Sequence, residues 1–148
     1  YSVERDGFFI LINDEKRHGI TAHVLSEKID SGGIVLINEF SISRFSTLES
    51  LQFKANLLMP KFVNELLELI EGGDYQIVNN DAGKTKIIAS KRTPEDSKLD
   101  STKSLDELFN KIRACDSTRF PAFFLIEGEK VYIKLSRKIS QKECDFDI

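Results

Sequence analysis

Cysteine and histidine are scarce in this chain. Its 148 residues hold two of each: Cys115 and Cys144, His18 and His23. Two cysteines 29 positions apart cannot build the disulfide scaffold of a small secreted domain. Together with two histidines they do not spell a zinc site, so no metal is expected. Two free thiols in a reducing cytoplasm are the expectation. No apolar stretch approaches the length of a membrane span, and no basic-then-apolar leader opens the sequence, so no membrane partner is expected. An excess of positive charge is missing too. The 21 basic and 24 acidic side chains give a formal net charge of -3, whereas a protein that coats nucleic-acid phosphates is usually basic. What remains is 41% hydrophobic and 30% charged, an ordinary globular domain with enough apolar residues for a core. There is no internal repeat. The opening Tyr1-Ser2-Val3-Glu4-Arg5 lacks Met and reads as a piece of a longer protein.

Residues 8–12, Phe-Phe-Ile-Leu-Ile, fit a buried strand or a helix segment equally well, because the run has no alternation. Residues 13–19 read as a polar turn. Strands are expected at 20–25 and 34–42. Ser46 with Glu49 has the form of a capping box and opens the longest expected helix. Its apolar stripe runs Leu48, Leu51, Ala55, Leu58, Met59, Phe62, Val63, Leu66, Leu67 and Ile70, and is read as core. Pro60 predicts a kink, and Gly72-Gly73 a stop. Short strands are expected at 75–78 and 85–89. Residues 91–103, with Pro94 and seven charges, read as a surface loop or linker. A second capping box, Ser104 with Glu107, opens a helix carrying Leu105, Leu108, Phe109 and Ile112. Strands at 122–126 and 130–135 around Glu127-Gly128-Glu129 read as a hairpin. The tail from 136 to 148 reads as polar and loosely held.

The chemistry concentrates between residues 19 and 33. A strand carries His23, and a loop carries Asp30 seven residues later. Glycines follow at once, where backbone and ligand can approach closely. A His and a carboxylate brought together in this way can hold and move a proton. The same pair can equally be a structural hydrogen bond, and Asp30 can equally cap backbone donors. Arg92 suits a substrate phosphate, since a guanidinium meets phosphate bidentately, or is a solvated linker residue. Arg113, late in its helix, reads first as a partner for the helix dipole. Phe120, Phe123, Phe124 and Tyr132 read as core or dimer packing rather than base-stacking residues.

Gly19-Ile20-Thr21-Ala22-His23, followed by Ile29-Asp30-Ser31-Gly32-Gly33-Ile34-Val35-Leu36, resembles the folate-dependent formyltransferase family. That family includes glycinamide ribonucleotide transformylase, methionyl-tRNA formyltransferase and the sugar N-formyltransferases. Arg92-Thr93-Pro94-Glu95-Asp96, Ile112-Arg113-Ala114 and Phe120-Pro121-Ala122-Phe123 resemble further family segments, in the family order. The resemblance implies that Asp30 is catalytic, with His23 near it in an open cleft. It implies that the loop at Ile29, Ser31 and Gly32 helps wall the pocket for N10-formyltetrahydrofolate. The implied fold is α/β: the C-terminal part of a Rossmann-like domain over residues 1–90, then a linker and a small helix-plus-hairpin subdomain over 91–148. The family's Asn-x-His pair and its first half would precede Tyr1. The 148 residues alone are therefore expected to be inactive, and an apolar edge is expected at 8–12 and near Ile20.

Within the family, the Arg-Thr-Pro and Ile-Arg-Ala segments point away from the purine branch. Only 34 residues follow Ala114, too few for the basic C-terminal barrel of the tRNA branch. The resemblance therefore implies a cytoplasmic sugar N-formyltransferase acting on a nucleotide-linked amino sugar, with a homodimer formed through the C-terminal region. The alternatives are a methionyl-tRNA formyltransferase fragment and a truncated piece that only dimerises or scaffolds.

Overall fold

Helix and strand alternate along the chain. The fold is seen in a computed structural model, which describes residues 7–27, 32–73, 75–79 and 92–136. The elements are α1 (Gly7–Ile12), β1 (Arg17–His23), β2 (Ile34–Ser41), α2 (Leu48–Gly72), a 3-10 turn (Pro94–Ser97), α3 (Leu105–Ala114), β3 (Ala122–Ile126) and β4 (Glu129–Ile133). Mixed helix and strand agrees with the α/β expectation. Among the described residues the two sheets are the antiparallel pairs β1–β2 and β3–β4.

The ambiguous run at 8–12 is helical, and its ending explains why. Asp14 adopts a left-handed backbone, φ 52°. The Asp14 N–H donates to Leu11 O at 3.2 Å and the Glu15 N–H to Ile10 O at 3.0 Å. That is the Schellman closure, with aspartate in the place usually held by glycine. Phe8, Ile10 and Leu11 are buried, so the apolar edge expected at 8–12 is corrected: the run is core. The polar turn is also shorter than expected. Pairing of Arg17 with Ser41 starts β1 at Arg17. The Arg17 guanidinium meets Glu39 at 3.1 Å, and the His18 ring packs edge-on to Phe40.

The α2 cap lies one residue beyond the expected place. Thr47 and Ser50 form the box: the Ser50 N–H donates to Thr47 Oγ1 at 3.2 Å and the Thr47 N–H to Ser50 Oγ at 2.9 Å. The Ser46 hydroxyl accepts from the Ser43 N–H instead. Glu49 reaches across to the Ser117 N–H at 2.8 Å. The helix continues through Pro60 and stops at Gly73, whose φ of 69° needs no side chain. Its apolar stripe is only partly core. Leu48, Leu51 and Phe62 are buried, whereas Met59, Val63, Leu67 and Ile70 are 41, 41, 51 and 49% exposed. Of residues 75–78, Val78 alone is paired, to Ile34. The strand expected at 85–89 and the 137–148 part of the tail lie outside the described residues.

The segment at 91–103 is no free linker. Ser97 and Leu99 are buried, and the Leu99 N–H donates to Phe123 O at 2.8 Å. Leu99, Leu108, Ile112, Ala114 and Ala122 join Phe8, Ile10, Leu11, Leu48 and Leu51 in one core cluster, which crosses the division expected near residue 90. α3 carries the expected Ser104–Glu107 box. The hairpin turns on Glu127 and Gly128, at φ 51° and 86°, two left-handed residues between right-twisted strands.

Candidate active site

The described part of the loop bearing the candidate catalytic residue is its base. β1 and β2 run in register until a bulge between Ala22 and His23, a device that re-aims side chains at sheet ends. Beyond it the Val24 N–H donates to Gly33 O at 2.9 Å, which pins the two limbs of the loop together. Gly32 is buried in this crossing, and a Cβ there would collide with the Val24 carbonyl oxygen. A Cβ on Gly33 would collide with Ile77. Val78 completes the base by exchanging two hydrogen bonds with Ile34, at 2.8 and 2.9 Å. Gly32 is therefore required by close backbone approach, whereas at Gly33 the obstacle is the Ile77 side chain.

His23 sits at this base, at the end of β1. As a donor, its Nδ1 reaches the Val24 carbonyl at 3.2 Å. Gly32 joins it through Val24. Val24 and Leu25 present apolar surface beside them, Leu25 being 92% exposed. Asp30, Ile29 and Ser31 lie outside the described residues.

Arg92 is placed elsewhere. Its guanidinium carbon lies 3.8 Å from the Phe8 ring centre and 5.1 Å from that of Phe120. Its Nη2 donates to Ser97 Oγ at 2.9 Å and to Phe120 O at 3.2 Å. Its Nε is buried without a hydrogen-bond partner. The group expected to offer a phosphate its bidentate fork instead turns inward as a clamp between α1 and the turn before β3. Arg113 is a second clamp, and the sequence reading undervalued it. It is 1% exposed. Its Nε donates to Asn110 Oδ1, Nη1 to the Ser43 and Ser46 carbonyls, and Nη2 to Leu11 O and Asp14 Oδ1, all between 2.9 and 3.3 Å. Hydrogen bonding from Lys16 holds the Asp14 carboxyl below its ordinary range against desolvation, with help from the charges of Lys16 and Arg113.

A concavity of about 430 Å³ opens between the start of α2, the end of α3 and β4, where Thr47, Glu49, Phe53, Cys115, Lys134 and Leu135 line it. Cys115 is a free, buried thiol, and burial pushes its pKa up. Cys144 lies outside the described residues. Among the described residues no group of His, Cys, Asp and Glu is arranged to hold a metal, and no helix is long and apolar enough to cross a membrane.

No family model matches the chain. Comparison with curated proteins is more informative. The chain is 34% identical over 134 residues to the methionyl-tRNA formyltransferase of Pseudothermotoga lettingae, covering 90% of this chain and 42% of that one. It is 32% identical over 120 residues to the methionyl-tRNA formyltransferase of a Thermotoga strain, covering 81% and 38%. The chain belongs to the folate-dependent formyltransferase family. Several solved structures share its fold. A sugar N-formyltransferase from a Shewanella species superposes with a TM-score of 0.68 at 24% identity, over 91% of this chain and 56% of that one. HypX from Aquifex aeolicus, in complex with tetrahydrofolic acid, gives 0.69 at 21%, over 87% and 22%. The N-formyltransferase from Helicobacter canadensis, in complex with folinic acid and dTDP-3-aminofucose, gives 0.58 at 22%, over 73% and 40%. The chain thus spans about two fifths of the length of the curated formyltransferases it matches.

Proposed function

We propose that this chain forms part of an enzyme that transfers the formyl group of N10-formyltetrahydrofolate to the amino group of a nucleotide-linked amino sugar. The observation that carries the reading is the kinship with formyltransferases, over a stretch that includes the His23–Asp30 loop. The described loop base suits a folate in one respect: Val24 and Leu25 offer exposed apolar surface to a flat ring.

When bound, the folate supplies a formyl carbon to an attacking amine. Asp30 takes the proton that the ammonium must lose, and that proton goes on to the N10 nitrogen of the departing tetrahydrofolate. His23, at the bulge that ends β1, is assigned as the partner of Asp30 in this step. Ile29, Ser31 and Gly32 shape the wall of the pocket. Arg92 packs on two rings and ties α1 to the turn before β3. Exposed Leu125, Ile126, Val131 and Tyr132 on the hairpin support a homodimer through β3 and β4. A cytoplasmic location fits a cytosolic cosubstrate and the buried free thiol of Cys115.

One observation favours a second reading. The curated relatives act under the name methionyl-tRNA formyltransferase. Against it stands the net charge of -3, poor for a phosphate-driven tRNA interface. The test is formyl transfer by the longest natural polypeptide carrying this chain, to a panel of nucleotide-linked amino sugars and to methionyl-tRNA. Transfer to a sugar is expected. Transfer to methionyl-tRNA alone moves the protein to the second reading. In the active protein, Asp30→Asn should lower kcat by about 10²–10⁴ with little change in folate binding, as loss of a general base does. Near-normal turnover removes Asp30 from the mechanism.

A further inference from the structure

We propose that Ile77 is a positioning residue for formyl transfer, one that locks the base of the loop bearing Asp30 by seating on Gly33. The inference rests on the formyltransferase reading and adds to it a residue from a segment that none of the family motifs includes. Two glycines close the loop, and glycine has more backbone freedom than any other residue. A loop hinged on such a pair swings unless something outside its own backbone stops it. At Gly33 that stop is the Ile77 side chain, whose Cγ2 methyl fills the place a Cβ on Gly33 would take.

Strand geometry explains the contact. Ile34 and Val78 lie opposite each other in an antiparallel bridge and exchange hydrogen bonds at 2.8 and 2.9 Å. Successive side chains of a strand point to opposite faces, so Gly33 and Ile77, each one residue before its member of the pair, share the other face. They are diagonal neighbours, within reach of a branched side chain. The Gly33 carbonyl meanwhile accepts from the Val24 N–H at 2.9 Å. Backbone bonds thus hold Gly33 along the sheet, and Ile77 covers it from above.

The segment contributes little to the core. Ile77 and Val78 are 54 and 62% exposed, and neither belongs to the core cluster. Truncating a side chain so exposed costs little global stability. Its effect is local: it decides where Gly33 sits. Asp30 precedes Gly33 by three residues, a reach of about 10 Å at full extension, so a swing at Gly33 carries the carboxylate with it. Misplacing a reacting group by about 1 Å costs up to about 100-fold in rate.

The test uses the longest natural polypeptide carrying this chain, with N10-formyltetrahydrofolate and whichever acceptor it formylates, amino sugar or methionyl-tRNA. Ile77→Ala should lower kcat by about 10–100-fold and move KM for N10-formyltetrahydrofolate by less than about threefold. Tm should stay within about 2 °C of wild type, while amide exchange at Val24 and Ile34 quickens about tenfold. Ile77→Val keeps the methyl and should restore kcat. Gln76→Ala, on the other face, should change nothing. Gly33→Ala should lower kcat in the wild-type background but no further in Ile77→Ala. With the methyl gone, the nearest atoms to the new Cβ are the Val78 oxygen at 3.3 Å and the Ile77 Cβ at 3.7 Å, so the two changes are coupled. Quickened exchange with kcat intact overturns the inference. So does a loss of kcat that comes with unchanged exchange, or one that Ile77→Val shares in full. A wild type that formylates no acceptor removes the formyltransferase reading, and exchange then still decides whether Ile77 locks the loop base.

Discussion

Replacing Arg113 by methionine should be among the most damaging single changes available to this chain. Methionine keeps the unbranched apolar stem and removes the five donors. The guanidinium is fully buried, whereas the Asp14 carboxylate it meets at 2.9 Å has 36% of its side-chain surface in solvent. Asp14 can therefore rehydrate, and it retains Lys16 at 2.6 Å. The backbone is less forgiving. Leu11 O keeps the Asp14 N–H and Ser43 O keeps the Ser46 N–H, but each loses its stronger partner. Ser46 O and Asn110 Oδ1 lose the donors they have in Arg113. Breaking one side of a buried ionic cluster costs about 3–5 kcal/mol, and the remaining partners place this case near the lower end, about 3 kcal/mol. For a domain of this size that is a fall of roughly 6–12 °C in Tm. Arg113→Lys should lose about half as much, since one ammonium cannot reach three carbonyls and a carboxylate. Thermal melts and urea midpoints of the 148-residue chain measure both. A methionine variant within 1 kcal/mol of wild type would refute the clamp.

Two other outcomes are checked with standard measurements. Burial alone would raise the Glu49 carboxyl, but hydrogen bonds from the Ser117 hydroxyl and N–H outweigh it and leave the group below its ordinary 4.5. A depressed folded pKa means that this stabilisation is complete above about pH 4.5 and fades as the pH falls; Glu49→Gln should flatten that part of the acid-denaturation curve, and an unchanged acid limb contradicts the contact. Gly32→Ala should cost about 1–3 kcal/mol through overpacking and expose the Val24 N–H to amide exchange; protection equal to wild type would show that the crossing can open to admit a methyl group.

Local signals were legible wherever one residue decided the outcome. Ser104 and Glu107 form their box as spaced, Gly73 stops α2, and Glu127-Gly128 turns the hairpin. The first cap slipped because two hydroxyls stand side by side at 46 and 47, and Ser43 claims the earlier one. The run at 8–12 became a helix through an aspartate at a glycine's position, a choice that periodicity does not carry. The inward turns of Arg92 and Arg113 depend on Phe8, Phe120, Leu11 and Asp14. Those partners are remote along the chain, and no spacing rule connects them. At the site, the motif located His23 and the glycines. The reason Gly32 must be glycine is a carbonyl eight residues earlier, at Val24, and only the fold brings it there.

The reach of Arg113 also sets a timetable for synthesis. Its bonds to Leu11 and Asp14 span 102 and 99 positions. At roughly 5–20 residues per second on the ribosome, the end of α1 waits about 5–20 s for the side chain that satisfies it. The exit tunnel adds to that delay. Through this interval α1 and the turn before α2 are held by their local bonds, the Ile42–Lys16 link and contact between α1 and α2, with Leu11 and Leu48 still lacking the α3 side of their core. Long-range closures of this kind slow folding because loop entropy is lost before the contact compensates for it. The vulnerable period of this chain is thus the birth of its last third, when a nascent apolar surface is finished but unroofed.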